Sequence, residues 1–513
     1  MSLNLALILR ESVRADPDAA LLHFGGRTWT RREVDAVSDR VAAGLLAGGL
    51  GSGDRVAVQL PNIPEFVFAY FGILKAGLVM VPMNPLLRPP EIAHQLARSD
   101  ARVMITERGL LEQALAGASD LPDLVLVVVG DAEVVTERPV LGFEDLHVDG
   151  AEPMLEPTDA EATAVVIFTS GTTGRPKGAE LTHVQLYMNC THAGRLGGLG
   201  VDDVVVGVLP LFHVFGLSSV LDAAVRWGSA LVLVPRFDAD AVLDAIERHR
   251  ATVLPGVPTV FVSLLAANIA GRDVSSLRLG LSGGAALSPT HLNAFEAAVP
   301  SATILEGYGL TECASVATFN TGRGARKIGS IGTPLWGTEV RLVDSAGEVL
   351  RATGPDHVGE LEIRGHHVMK GYIGQPEATA AVLRAGWLAT GDLGYVDGDG
   401  YYFIVDRKKD VILRGGYNVY PREVEEALLQ HPSVMEAAVV GRADDRLGEE
   451  VVAFVVTEPG LRLDPDELIA FARERVAAYK YPRAVTVLDA LPQGATGKVL
   501  KRVLAGAPDP VSH

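Results

Sequence analysis

The sequence predicts an α/β protein: a large N-terminal domain of doubly wound mixed sheets with a β-rich subdomain, then a small α+β C-terminal domain. Three observations carry this. The chain has 513 residues, enough for roughly three domain-sized units at ~150 residues each. Helix and strand patterns alternate along much of the first 281 residues, the signature of a largely parallel sheet. The texture then changes to short strands with Gly and Asp turns at about 327–405, and to a compact mixed pattern after residue 410.

The elements follow in order. Thr30 and Glu33 form a capping box, Val34, Val37, Val41, Leu45 and Leu46 follow at helical spacing, and Gly48-Gly49 ends the helix. Strands are expected at 55–60, 79–81 and 102–105, with helices at 65–75 and 90–99 between them. After an irregular acidic stretch near 131–160, buried strands are expected at 164–168, 251–254 and 277–281. The uncharged run 204–221 approaches a membrane span in length, but Gly207, Pro210, His213 and Gly216 interrupt it. A buried strand, a turn and a buried helix fit it better, so no integral membrane segment is expected. The C-terminal segment reads as a helix at 421–430, strands at 436–440 and 451–456, and a helix at 464–478.

Composition narrows the function. The net charge of −18 disfavours nucleic acid as a partner. Two cysteines, Cys190 and Cys313, cannot build a disulfide framework. The start of the chain lacks a basic stretch and a long apolar run, so no signal peptide is expected and a cytoplasmic location fits.

The most informative segment is Thr169-Ser170-Gly171-Thr172-Thr173-Gly174-Arg175-Pro176-Lys177-Gly178. It holds four hydroxyls, three glycines and a lysine in ten residues, a density that ordinary turns seldom reach. It follows an apolar strand and precedes a helix-like run near Thr182. Glycines let backbone N–H groups approach phosphate oxygens, hydroxyls add donors, and Lys177 adds charge. A Walker loop is excluded, because Pro176 stands where its second glycine would be.

This segment resembles the phosphate loop of the adenylate-forming (AMP-binding) enzymes, which include acyl-CoA synthetases, coumarate ligases, luciferases and peptide-synthetase adenylation domains. Five further segments agree in order: Tyr308-Gly-Leu-Thr-Glu312, Thr390-Gly-Asp392, Asp406-Arg-Lys-Lys-Asp410, Arg414-Gly-Gly416 with Asn418-Val-Tyr-Pro-Arg-Glu423, and Pro492-Gln-Gly-Ala-Thr-Gly-Lys498. The resemblance spans nearly the whole chain and is closest in kind to a bacterial fatty acyl-CoA synthetase. It implies ATP, Mg²⁺ and coenzyme A as cofactors or co-substrates, and a small-molecule carboxylic acid as partner. Acid and ATP give acyl-AMP and pyrophosphate; CoA then gives acyl-CoA and AMP.

The resemblance also implies residue roles. Lys498 stabilises charge in adenylation. Glu312 and Thr169 hold Mg²⁺, and Thr311 touches the α-phosphate. Thr169, Ser170, Gly171, Thr172, Thr173 and Lys177 cradle the phosphates. Gly284 and Ala285 lie in the segment that packs against adenine, and Glu306, Gly307, Tyr308 and Gly309 also bind the cofactor. Asp392 and Arg407 meet the ribose. Lys409 is the hinge, which sets an N-terminal domain at 1–408, with the β-rich subdomain at about 327–405, and a mobile C-terminal domain at 409–513; Gly415 and Gly416 line the route of the pantetheine. Ala286 stands where the family often has proline, a mild departure.

The substrate is less legible. Pro210-Leu-Phe-His213-Val-Phe215-Gly-Leu217 resembles a wall of the acyl pocket, with His213 near the acyl carbonyl. His213 disfavours an amino acid, for which the peptide-synthetase domains place Asp nearby. Gly307 stands where malonyl-CoA synthetases carry an Arg, which disfavours malonate, since an unpaired carboxylate in an apolar pocket is costly. A medium- or long-chain fatty acid is the first expectation. An aryl acid of the cinnamate type is the second, although no clear polar partner for a ring hydroxyl stands out. A rival of another class is a serine hydrolase at Gly280-Leu-Ser282-Gly-Gly284, with Asp392 and His431 completing a triad. A homodimer is compatible with all of these readings.

Overall fold

The computed structural model describes residues 2–131, 138–148, 150–152, 154–169, 176–267, 269–444, 446–458, 460–461, 463–494 and 499–506. Two large sheets dominate. One has nine strands, and its parallel centre runs through Ala230–Leu233, Val204–Gly207, Val253–Gly256, Leu279–Ser282 and Thr303–Tyr308. The other has eight strands, with Val125–Val129, Ala101–Glu107, Arg55–Gln59, Val79–Pro82 and Thr163–Thr169 parallel to one another. The strands read as unbroken apolar runs because helices cover both faces. Leu279–Ser282 and Val79–Pro82, for example, are buried at every position.

The expected helices form where their signals stand. Arg31–Ala47 begins with the Thr30–Glu33 capping box and stops at Gly48, with Gly49 at φ 84°. Pro64–Lys75 is buried along nearly its whole length because it lies between the sheets. The uncharged run resolves into the strand Val204–Gly207 and the π-helix Phe215–Asp222, which is shorter than a membrane span. Among the described residues, no helix is long and apolar enough to cross a membrane.

One element was not expected. A strand stands between the glycine-rich segment and the helix expected near Thr182. Lys177–Thr182 is a strand, antiparallel to Thr163–Thr169, with Lys177 opposite Thr169. The helix His183–Leu196 starts only afterwards, capped by Thr182. Gly178 is a close-approach position in this strand: a Cβ there would lie 2.8 Å from Val166 and 2.9 Å from Ile373.

Short antiparallel strands, Thr338–Val343, Gly359–Gly365, Leu383–Arg384, Trp387–Val396 and Tyr402–Arg407, make the β-rich part. Gly371–Tyr372 leaves it to pair with Lys177–Thr182 in the eight-stranded sheet. A third region follows, in which Val434–Asp444 and Gly448–Thr457 pair along ten positions under the helices Pro421–Leu428 and Pro465–Arg473.

Candidate active site

In parallel sheets, ligands bind beyond the carboxyl ends of the strands. Three such ends converge here. Thr163–Thr169 ends in Thr169, Leu279–Ser282 ends in Ser282, and Thr303–Tyr308 runs into Gly309-Leu310-Thr311-Glu312. The first belongs to one large sheet and the other two to its neighbour. The sequence signals, dispersed over more than two hundred positions, meet at this junction.

At its centre lies Glu312. Its Oε1 accepts a hydrogen bond from the Tyr372 hydroxyl at 2.9 Å and lies 3.5 Å from the Thr169 hydroxyl. Lys177 Nζ sits 5.2 Å above the ring of Tyr372. Burial and the neighbouring Glu312 carboxylate push the Tyr372 hydroxyl well above its ordinary pKa, so it stays a donor. Thr311 is buried beside Glu312. Sequence reasoning missed Tyr372. Its signal was the pair Gly371-Tyr372, which is too short to stand out; only the strand pairing brings it to Lys177.

A second group lies beside the first. Asp392 and Arg407 face each other across two antiparallel strands, with Arg407 Nε 3.3 Å from Asp392 Oδ1. The Tyr308 hydroxyl donates to Asp392 Oδ2 at 2.6 Å. Burial, and then the Asp392 charge, raise the Tyr308 hydroxyl well above its usual pKa. Gly284 and Ala285 are exposed at the end of the central strand. Behind them the carboxylate of buried Glu306 accepts from the Leu287 N–H at 3.3 Å, and burial raises its pKa. Gly307 and Gly309 are close-approach positions. A Cβ on Gly309 would lie 1.6 Å from the Ser315 carbonyl oxygen, and one on Gly307 2.7 Å from the Phe319 ring.

The residues of the expected acyl wall take the following positions. His213 precedes the π-helix and its Nδ1 accepts from the Phe215 N–H at 3.3 Å. The Phe215 ring packs where a Cβ on Gly283 would be 3.0 Å away. Ser219 on this π-helix and Ser315 share a buried hydrogen bond of 2.7 Å. These two buried hydroxyls are polar groups that the sequence reading had not singled out.

Lys409 is exposed in the turn after Tyr402–Arg407, and Gly415-Gly416 makes a two-residue hairpin turn with φ of 58° and 85°. Ser170, Gly171, Thr172, Thr173 and Lys498 lie outside the described residues. The hydrolase constellation does not assemble. Ser282 is 2% exposed with no hydrogen-bond partner on its hydroxyl among the described residues, His431 packs edge-on against Phe471, and Asp392 is engaged by Tyr308 and Arg407.

Comparison with known proteins agrees with this geometry. Residues 9–373 match the AMP-binding enzyme model and residues 423–498 match the AMP-binding enzyme C-terminal domain. The chain is 38% identical to a long-chain-fatty-acid–CoA ligase of Bacillus subtilis (strain 168), over 98% of this chain and 94% of that one. It is 40% identical to a feruloyl-CoA synthase of an Amycolatopsis species, over 95% and 96%. The crystal structure of an anthranilate CoA ligase in complex with anthranoyl-AMP superimposes with a TM-score of 0.91 at 31% identity, covering 98% of this chain and 96% of that one. The chain therefore belongs to the AMP-binding enzyme family, within its acyl- and aryl-CoA ligases, and is an acid–thiol ligase.

Proposed function

We propose that the protein activates a medium- or long-chain fatty acid with ATP and transfers the acyl group to coenzyme A. The observation that carries this is the meeting of Thr169, Lys177, Tyr372 and Glu312 at strand ends from both large sheets. In the first half, a carboxylate oxygen attacks the α-phosphorus and pyrophosphate leaves. Two anions must approach each other, so this site works by positioning and by cationic stabilisation. Lys177, and Lys498 from the C-terminal part, supply the positive charge. Asp392 accepts from the ribose hydroxyls, while Arg407 adds a donor and holds Asp392 in place. Tyr308 and the exposed backbone of Gly284 and Ala285 flank the base. In the second half, the thiol attacks the acyl carbon and AMP leaves. Rotation about Lys409, at the boundary of the regions 1–408 and 409–513, then presents Gly415 and Gly416 to the pantetheine.

Mg²⁺ suits the donors present. The Glu312 carboxylate and the Thr169 hydroxyl are hard oxygens. Among the described residues, no group of three or more His, Cys, Asp or Glu forms a closed metal cage. That fits an ion which keeps water and phosphate oxygens and takes one or two protein ligands. When bound, it neutralises phosphate charge.

A second reading, an aryl acid, is favoured by the Ser219–Ser315 hydroxyl pair beside the acyl wall, which can meet a ring hydroxyl. The similarity to a feruloyl-CoA synthase and to an anthranilate CoA ligase supports it. The test is pyrophosphate release with ATP and Mg²⁺ across acetate to palmitate, cinnamates, malonate and an amino acid, each with and without CoA. The expected result is a maximum on fatty acids that requires CoA for turnover. A maximum on hydroxycinnamates selects the aryl reading, and activity confined to malonate or the amino acid rejects both.

A further inference from the structure

The backbone directly after Glu312 is strained. Ala314 has φ 55° and Ser315 φ 119°, a left-handed pair in which neither residue is glycine. Such conformations persist only where the surroundings over-determine them. The surroundings here are specific. Asn189, fully buried on the helix His183–Leu196, spans the turn. Its Nδ2 donates to the Val316 carbonyl at 2.8 Å and the Cys313 carbonyl at 3.4 Å, and its Oδ1 accepts from the Val316 N–H at 3.4 Å. Ser218 donates to the same Oδ1 at 3.5 Å, and Ser219 holds the Ser315 hydroxyl. On the far side the Ser315 carbonyl presses against Gly309, leaving no room for a Cβ.

We propose that Asn189 is a positioning residue for Glu312. It touches no reacting atom. Its amide keeps the turn 313–316 in the left-handed form that points the Glu312 carboxylate at Thr169 and Tyr372. The proposal rests on the reading of Glu312 as the Mg²⁺-facing carboxylate. It adds a link from the helix that follows the glycine-rich hairpin to that carboxylate.

The test is calorimetric titration of ATP, with and without Mg²⁺, into the wild type, N189A, N189A/A314G and E312Q. N189A is expected to weaken binding of MgATP about tenfold while Mg²⁺-free ATP stays within about twofold, since one buried amide network is lost. A314G is expected to restore most of that loss, because glycine adopts a positive φ without strain. In steady state, N189A is expected to lower kcat about tenfold with KM for the acid nearly constant. N189S is read in the same way should N189A fail to fold. Wild-type MgATP affinity in the asparagine variants, an equal loss with and without Mg²⁺, or no recovery with A314G overturns the proposal. An E312Q protein that keeps the full Mg²⁺-dependent gain instead removes the assigned role of Glu312, and the inference falls with it.

Discussion

Two charged clusters of this molecule are built on opposite plans. The first lies in the N-terminal region, away from the strand ends that form the site. Lys75, with no exposed side-chain surface, contacts Asp35 at 2.6 Å and Asp39 at 2.9 Å. Arg10 contacts the same two carboxylates at 2.6 and 2.7 Å and also donates to the Met154 carbonyl. Two positive charges meet two negative ones, and the network is saturated. The second is the group of Glu312, Thr169, Tyr372 and Lys177. There the carboxylate has one short hydrogen bond and one long contact, and the lysine rests over an aromatic ring. A saturated cluster fastens secondary structure. The second cluster leaves, among the described residues, acceptors and a cation that the proposed function assigns to a ligand.

Substitutions sharpen this contrast. The largest effect is expected from Lys75→Ala, which leaves two buried carboxylates short of a partner. Stability in urea is expected to fall by ~3–5 kcal/mol, while activity per folded molecule is retained. Loss of activity without loss of stability breaks the comparison. Glu312→Gln is expected to do the reverse. Acid-dependent ATP–pyrophosphate exchange falls ~10²–10³-fold, about 2.7–4 kcal/mol, with the unfolding midpoint nearly unchanged. Asp392→Asn keeps the shape but removes the charge that holds Arg407. KM for ATP is expected to rise about tenfold or more, with a smaller change in kcat. An unchanged KM removes Asp392 from the nucleotide site.

The smallest effect concerns pH. Burial lowers the pKa of His183 to about 4 and that of His367 to about 3, from 6.5. His183 Nδ1 accepts from the Leu5 N–H at 3.0 Å, a bond that protonation destroys. The unfolded chain takes up these protons near pH 6.5 and the folded chain does not, so their contribution is complete above that pH and declines below it. Each group then removes up to ~1.4 kcal/mol per pH unit. Urea unfolding at pH 7, 6 and 5 measures the slope. His367→Gln is expected to reduce it, and an unchanged slope refutes the assignment.

Much of this was legible in the residues. Thr30 and Glu33 announced a helix because capping is local chemistry, and the apolar runs announced buried strands because both sheet faces are covered. Asp392 and Glu312 were found through motifs, not through their surroundings in the chain. What stayed hidden depends on register. Lys177 read as part of a loop before a helix, whereas pairing with Thr169 makes it the first residue of a strand. Tyr372 lies about two hundred positions from Lys177 and reaches it only because Gly371–Tyr372 adds to that same strand. Lys75, Asp35 and Asp39 sit at unremarkable helical positions, and nothing local distinguishes them from solvated charges.

The Asp406 carboxylate accepts the N–H of Arg407 at 2.7 Å and that of Arg422 at 2.9 Å, and the Arg422 side chain donates to the Ile404 carbonyl at 2.7 Å. The two bonds from Arg422 fasten the first turn of the helix Pro421–Leu428 to the strand before Lys409. In the rotation proposed about Lys409, they are released before water can replace them. Once replaced by water, each contributes only about 0.5–1.5 kcal/mol net, so the two orientations stay close in energy. The loss before replacement falls on the barrier. In the proposed rotation this latch therefore acts on timing: it sets how long the C-terminal part dwells before it turns.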